Sequence, residues 1–252
     1  MADRGGPGFN PRLMIQKDDL AILREFGPRI WMAEGPVVSF LTFRYPTRMA
    51  VVRLSTGGLW IWSPISLNPA LKREVDALGV VRCMVSPNRL HHFFLGVWAH
   101  AYPQARLYAS PGLRRKRPDL TFDGDLGDRP EPEWAVDIDQ IPMRGGFLTE
   151  VEFFHRASGT VMFADLLQNF PPHWFKGWQG VIARFDGLCA PHPGAPRELR
   201  PINRRAARAS LEGILAWPIE RVLMAHGDPV MTDGAPFVRK AFRWLLGPDR
   251  PA

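Results

Sequence analysis

Two of the seven histidines of this 252-residue chain are neighbours. They lie in "VSPNRLHHFFLGVWAH", from Val85 to His100, between an apolar run and an aromatic one. On a regular helix consecutive side chains point about 100° apart, so adjacent imidazoles share a cation only on irregular backbone. Pro87 and Asn88 put His91 and His92 on such backbone, at the start of a helix. Packing under a loop is the competing reading, and the pair alone does not decide. Two more potential ligands stand at comparable places: Asp165 closes the run "TVMFA" and His226 closes "RVLMA". Three imidazoles and one carboxylate suit one divalent metal, Zn²⁺ first, with Fe²⁺ or Mn²⁺ as alternatives. Four protein ligands would also suit a closed structural site. Of the other histidines, His173 and His192 fall in irregular stretches, and His100 and His155 read as packing or surface residues.

The elements around these residues follow from pattern. Residues 18–26 read as a short helix ending a lead-in of residues 1–29. "PVVSFLTFRYP" and "RMAVVRLSTGGLWIWSP" are β-rich, with turn signals at Pro46-Thr47 and Gly57-Gly58. "NPALKREVDAL" has an Asn cap, Pro at the first helical position, and Leu71, Val75 and Leu78 at helical spacing. "VVRCMVS" is a buried-type strand, "HHFFLGVWAHAYP" a short helix, and "ARLYASP" another strand. Residues 111–135, rich in Pro, Gly and charge, read as a long surface loop. Three strands follow in "WAVDIDQIPM", "LTEVEFFHRASG" and "TVMFADLL". The aromatic, Pro-rich stretch 170–200 reads as irregular, with its tryptophans, like Trp60 and Trp62, in the core or in a pocket wall. An amphipathic helix over 201–215, a strand in "IERVLMAHG" and a closing helix in "GAPFVRKAFRWLLG" complete the order. This is an α/β or α+β layered domain spanning residues 30–252. If the strands that end at the candidate ligands lie side by side in parallel, their ends meet in one crevice.

At 46% hydrophobic and 23% charged, the composition is that of a soluble globular protein. No apolar run approaches the ~20 residues of a membrane span, and the first residues lack the apolar core of a secretory signal. A cytoplasmic protein without membrane attachment is therefore expected, and Cys83 and Cys189, far apart, read as free thiols. The net charge of +7 comes mostly from arginine. Two clusters stand out, Arg114 to Arg117 and Arg197 to Arg208, and neither is interleaved with stacking aromatics. They read as solvated faces, and nucleic acid is not the expected partner.

With the landmarks in this order, the chain resembles the metallo-β-lactamase fold superfamily, and within it an uncharacterised family described only as a domain of unknown function. The resemblance spans roughly residues 30 to 246. "GGLWIWSP" corresponds to the strand and turn before the first helix, and "VSPNRLHHFF" to the H-x-H-x-D-H signature. "SGTVMFADLL" corresponds to the strand ending in the metal-bridging Asp, and "VLMAHGD" to the strand ending in the last metal His. The resemblance implies a four-layer αββα sandwich. It also implies that one of the superfamily's two metal sites is lost. Pro87 and Arg89 stand at the first two signature histidines, His91 at the signature Asp, and Gly146 near another missing His. The second site would then be His91, His92, Asp165 and His226. Arg89 would put a fixed cation where a metal is missing, able to hold an anionic group. Asp228 would orient a ligand or act as a base. The implied activity is that of a single-metal hydrolase acting on a small molecule, an anionic one if Arg89 contributes. The alternative is a non-hydrolytic or inactive member of the fold that binds a ligand or partner.

Overall fold

A computed structural model of the chain describes residues 23–247, Leu41 and Gly145 apart. β1 (Arg24–Gly27), β2 (Ile30–Phe40), β3 (Phe43–Arg53), β4 (Leu59–Trp62), β5 (Val81–Val85), β6 (Arg106–Ala109) and β7 (Gly124–Asp125) form one sheet in that spatial order. β2 and β3 pair antiparallel from Ile30↔Val52 to Ser39↔Arg44, with a bulge between Glu34 and Val37. From β4 onward the neighbours are parallel. Such pairs need crossovers, which α1 (Pro69–Leu78) and α2 (Leu95–Ala101) supply. α1 forms where its sequence signals place it: the Asn68 side chain accepts from the Leu71 amide at 2.8 Å, and Leu71 and Val75 are buried.

The second sheet is built from β8 (Ile138–Met143), β9 (Glu150–His155), β10 (Thr160–Phe163) and β11 (Arg221–Met224), in spatial order β11-β10-β9-β8. β10 and β11 run parallel, and the other neighbours antiparallel. Each sheet therefore comes from one continuous half of the chain, and the connection after β7 passes from one to the other.

Alternation along the strands sorts side chains into three apolar layers. Trp60, Trp62, Cys83 and Val85 of the first sheet meet Ile138, Val151, Phe153 and Met162 of the second in a central core. There the Trp60 ring lies 5.0 Å from that of Phe153, edge to face. Leu59, Ile61 and Met84 point the other way, toward Leu71, Val75 and Trp98 of α1 and α2 and Leu113 of α3 (Leu113–Lys116). Beyond the second sheet, Phe154, Phe163 and Met224 pack on α5 (Arg204–Ile214), α6 (Gly234–Ala241) and α7 (Arg243–Leu246). The result is an αββα sandwich. A further helix, α4 (Gly177–Asp186), borders a small cluster of Phe170, Phe175, Leu188 and Cys189.

Several expectations change. Arg24–Gly27 is a strand, not the end of a helix: Glu25 pairs with Trp31 across a turn in which Arg29 has φ 64. The rest of the expected helix, residues 18–22, lies outside the described residues. Residues 111–135 are not simply a surface loop, because Leu113, Phe122, Leu126 and Trp134 are buried anchors among the charges. The stretch 170–200 holds α4, and Trp174 and Trp178 are 39% and 60% exposed rather than core residues. The closing helix breaks at Phe242 into α6 and α7.

Candidate metal centre

Three of the four expected ligands meet where the two sheets adjoin. β5 ends at Val85, and the chain turns through Pro87 and Asn88 to present His91. β10 and β11 end beside each other and present Asp165 and His226. The three strands do not lie side by side in one sheet, as a sheet-edge crevice would require: β5 belongs to one sheet, β10 and β11 to the other. His91 Nε2 is 3.3 Å from Asp165 Oδ2, and His226 Nε2 is 3.3 Å from Asp165 Oδ1. One ligand atom from each residue lies within 4.8 Å of the other two. A tetrahedron with metal–ligand bonds of ~2.0–2.1 Å has edges of about 3.3 Å. Each 3.3 Å separation, one to either Asp165 oxygen, matches such an edge, and the donor set could hold one divalent cation through two imidazoles and one carboxylate.

Each ligand is held from behind. His226 Nδ1 is 2.7 Å from the Pro46 carbonyl. A carbonyl only accepts, so Nδ1 carries the hydrogen and Nε2 turns its lone pair toward Asp165. His91 Nδ1 is 2.7 Å from Ser63 Oγ. Ser63 follows β4 in left-handed backbone at φ 50, a strained conformation that aims its hydroxyl. Asn88, fully buried, donates through Nδ2 to Asp165 Oδ2 at 2.8 Å and to Glu150 Oε2 at 2.7 Å, while its Oδ1 accepts from the Leu90 amide. Glu150 in turn accepts from the amides of Ala164, Asp165 and Leu166, pinning the bend after β10. After His226, Gly227 has φ 89, and a Cβ there would stand 2.2 Å from the Asn169 carbonyl oxygen. Only glycine fits.

The charges reinforce the geometry. Burial alone would raise Asp165, but His91 and His226 hold its carboxyl well below the usual range. Burial would lower His91, and the Asp165 carboxylate, with Glu150 behind it, reverses this and raises it. Burial and then Asp165 push Glu150 up. Glu152, buried two residues along β9, is pushed well above its ordinary value by burial and by Glu150.

The remaining expected site residues are placed elsewhere. The His92 ring stacks on Phe93 at 4.7 Å, away from the three ligands. Burial, Lys116 and Arg117 push it down to about 4. Arg89 donates to the Phe147 carbonyl at 3.1 Å, and its guanidinium lies 4.2 Å from the Phe147 ring centroid, so it does not stand in for a metal. Asp228 is exposed and its backbone pairs with Asn169; the group orienting His226 is Pro46. Ser63, Glu150 and the hydrogen bonds of Asn88 are parts of the site that sequence reasoning missed. The one available signal was "EVEFFH", two acids within an otherwise apolar strand.

A cavity of about 230 Å³ opens above the ligands. His91, Asp165 and His226 line it together with Val38, Leu90, Phe93, Phe94, Phe147 and Leu199. Solved structures share the fold of this chain. The metallo-β-lactamase FIM-1 from Pseudomonas aeruginosa, in its mono-zinc form, matches with a TM-score of 0.64 over 94% of this chain and 99% of its own, at 12% identity. A metallo-β-lactamase from Pontibacter korlensis matches at 0.61 over 90% and 99%, at 10% identity. One from Hirschia baltica matches at 0.59 over 91% and 99%, at 12% identity. The fold is that of the metallo-β-lactamases. At these identities the likeness is one of fold alone. A family model described as a domain of unknown function, DUF4336, matches residues 28–113. That window of the metallo-β-lactamase fold carries the turn with His91 but neither Asp165 nor His226. No curated protein sequence gives a significant match. Among the described residues no helix is long and apolar enough to cross a membrane.

Proposed function

We propose that this chain is a single-metal hydrolase of the metallo-β-lactamase fold, acting on a small molecule that enters the cavity above His91, Asp165 and His226. The observation that carries this reading is the convergence of two oriented imidazoles and a buried carboxylate at the floor of an accessible pocket. His226 and His91 would bind through Nε2 and Asp165 through a carboxylate oxygen; His92 would not take part. A bound divalent cation would supply Lewis acidity and a more acidic water. Pro46, Ser63 and Asn88 hold the three ligands in register. Tyr45, also lining the cavity, is pushed up by burial and then by Asp165, and remains a neutral phenol able to donate.

Zn²⁺ is the favoured ion. Two histidines and one carboxylate are also the donor set of non-haem Fe²⁺ sites, which favours a non-hydrolytic role as the second reading. Metal analysis of the purified protein and of its His226→Ala variant, followed by p-nitrophenyl acetate hydrolysis with and without chelator, tests both. One equivalent of metal, lost in the variant, with chelator-sensitive hydrolysis supports the proposal. Metal without hydrolysis leaves the non-hydrolytic reading, and no metal at all removes both.

A further inference from the structure

Among the described residues Arg48, on β3, is the only lysine or arginine that is buried, at 5% exposure. A charge taken out of water is costly unless it is paired and hydrogen-bonded. Glu34 Oε1 lies 3.4 Å from Arg48 Nη2, but that carboxylate is half exposed and also bonds Arg24 at 2.6 Å. Arg48 Nε has no hydrogen-bond partner among the described residues. So loose a pairing does little to offset the burial of the charge. The work of this guanidinium lies in its remaining contacts.

Those contacts straddle a proposed ligand. Arg48 Nη1 donates to the Met224 carbonyl at 2.5 Å and to the Gly227 carbonyl at 2.7 Å. Met224 ends β11 and Gly227 follows His226, so one nitrogen gathers the carbonyls on either side of Ala225-His226. Asn169 fixes the same turn, accepting from the Asp228 amide at 2.7 Å and donating its own amide to the His226 carbonyl at 3.4 Å. Two residues before Arg48 on the same strand, the Pro46 carbonyl accepts from His226 Nδ1 at 2.7 Å. β3 thus reaches from the first sheet to the end of a strand of the second, gripping the backbone of the turn through Arg48 and its imidazole through Pro46. The second grip depends on the first, because a hydrogen bond weakens steeply once its length and angle depart from the optimum.

We propose that Arg48 is the positioning residue for His226. By fixing the Met224 and Gly227 carbonyls it keeps the imidazole on the Pro46 carbonyl, with Nε2 turned toward Asp165. Arg48 is neither a ligand nor among the residues lining the cavity, so it acts through the histidine. The inference rests on the metal reading for its effect on affinity, and not for its effect on the ring.

The test compares the parent with Arg48→Met, Arg48→Lys and a control, Leu71→Ala, which removes a buried side chain of α1 in a different apolar layer. Two readouts are taken on the metal-free protein: the slowly exchanging His226 Nδ1–H by ¹⁵N NMR, and Co²⁺ titration followed by visible absorption. Arg48→Met should lose the Nδ1–H signal and bind Co²⁺ about 10–100-fold more weakly. Arg48→Lys, one bond shorter, should bind about three- to tenfold more weakly. Leu71→Ala should lower stability yet keep both the signal and the affinity of the folded protein. A retained signal with Co²⁺ affinity within about twofold of the parent's in Arg48→Met overturns the inference. So does an equal loss in Leu71→Ala, which would make the effect one of stability alone. Should Arg48→Met not fold, Arg48→Lys decides by the same two readouts, and parental values in both overturn the inference. A parent that binds no Co²⁺ defeats the metal reading, and the ring signal then decides on Arg48 alone.

Discussion

Asn88→Ala should be among the most damaging single substitutions in this chain, although Asn88 is not a proposed ligand. The side chain is fully buried and donates from one nitrogen to two carboxylates, Glu150 at 2.7 Å and Asp165 at 2.8 Å. A hydrogen bond to a charged group contributes about 1.5–3 kcal/mol, so deleting both costs roughly 3–6 kcal/mol. Losing the Asn88 Oδ1 contact to the Leu90 amide adds about 1 kcal/mol, and water entering the vacated space recovers part of the total. A net loss of about 3–5 kcal/mol is expected, out of the ~5–15 kcal/mol that a domain commands. Urea unfolding followed by tryptophan fluorescence would read this directly, and thermal unfolding should show a fall in Tm of roughly 6–20 °C. Metal titration should show ~10–100-fold weaker binding, because Asp165 loses the group that fixes its carboxylate. Asn88→Asp, placing a third carboxylate between the other two, should be worse than alanine. A stability loss below about 1 kcal/mol with unchanged metal affinity would refute the reasoning.

His155 is buried, with Nδ1 2.8 Å from Ser158 Oγ and Nε2 unpartnered, and burial pushes it down to about 4. An unfolded histidine takes up its proton near pH ~6.5 while the folded one resists until about 4. Stability is therefore lost as pH falls through this window, by up to roughly 3 kcal/mol. His155→Phe should reduce the slope of the stability profile between those limits, with His92, shifted the same way, keeping the remainder; a profile identical to the parent's would show that another group drives acid unfolding. His92→Ala should leave metal stoichiometry at the parent's level by elemental analysis, and a halved metal content would restore His92 to the ligand set. Arg89→Ala removes the contacts to Phe147 and should cost no more than about 1 kcal/mol with metal content intact. Metal loss in that variant would give Arg89 a role at the centre.

Legibility in the sequence followed the range of the interactions involved. α1 was readable because Asn68 and Pro69 act within one turn. Asp165 and His226 were readable because a strand ending in a ligand is a local pattern. Which of His91 and His92 turns toward Asp165 and His226 was not readable, since the turn from Pro87 is set by contacts far along the chain, such as the Val151 amide on the Pro87 carbonyl at 2.9 Å. The same limit hid the membership of β5 in one sheet and of β10 and β11 in the other, because a strand's sequence does not name its neighbours. Glu150 escaped notice, and Asn88 was read only as a turn residue, for a related reason: their bonding to each other and to Asp165 exists only once β9 and β10 are in register. In residues 111–135, abundant Pro, Gly and charge masked four buried apolar anchors.

The division of the two sheets between the two halves of the chain has a mechanical consequence. His91 belongs to the first half, Asp165 and His226 to the second, so a cation bound to all three is a crosslink across the seam of the sandwich. Were the backbone cut near the exposed Arg129, each fragment would carry a whole sheet, half of the central core and an incomplete set of ligands. Reassembly would bury the two apolar faces and complete the chelate in the same step. The concentration of metal would then set how tightly the fragments hold together, and the ion would act as a fastener between pieces that the intact chain joins by its backbone.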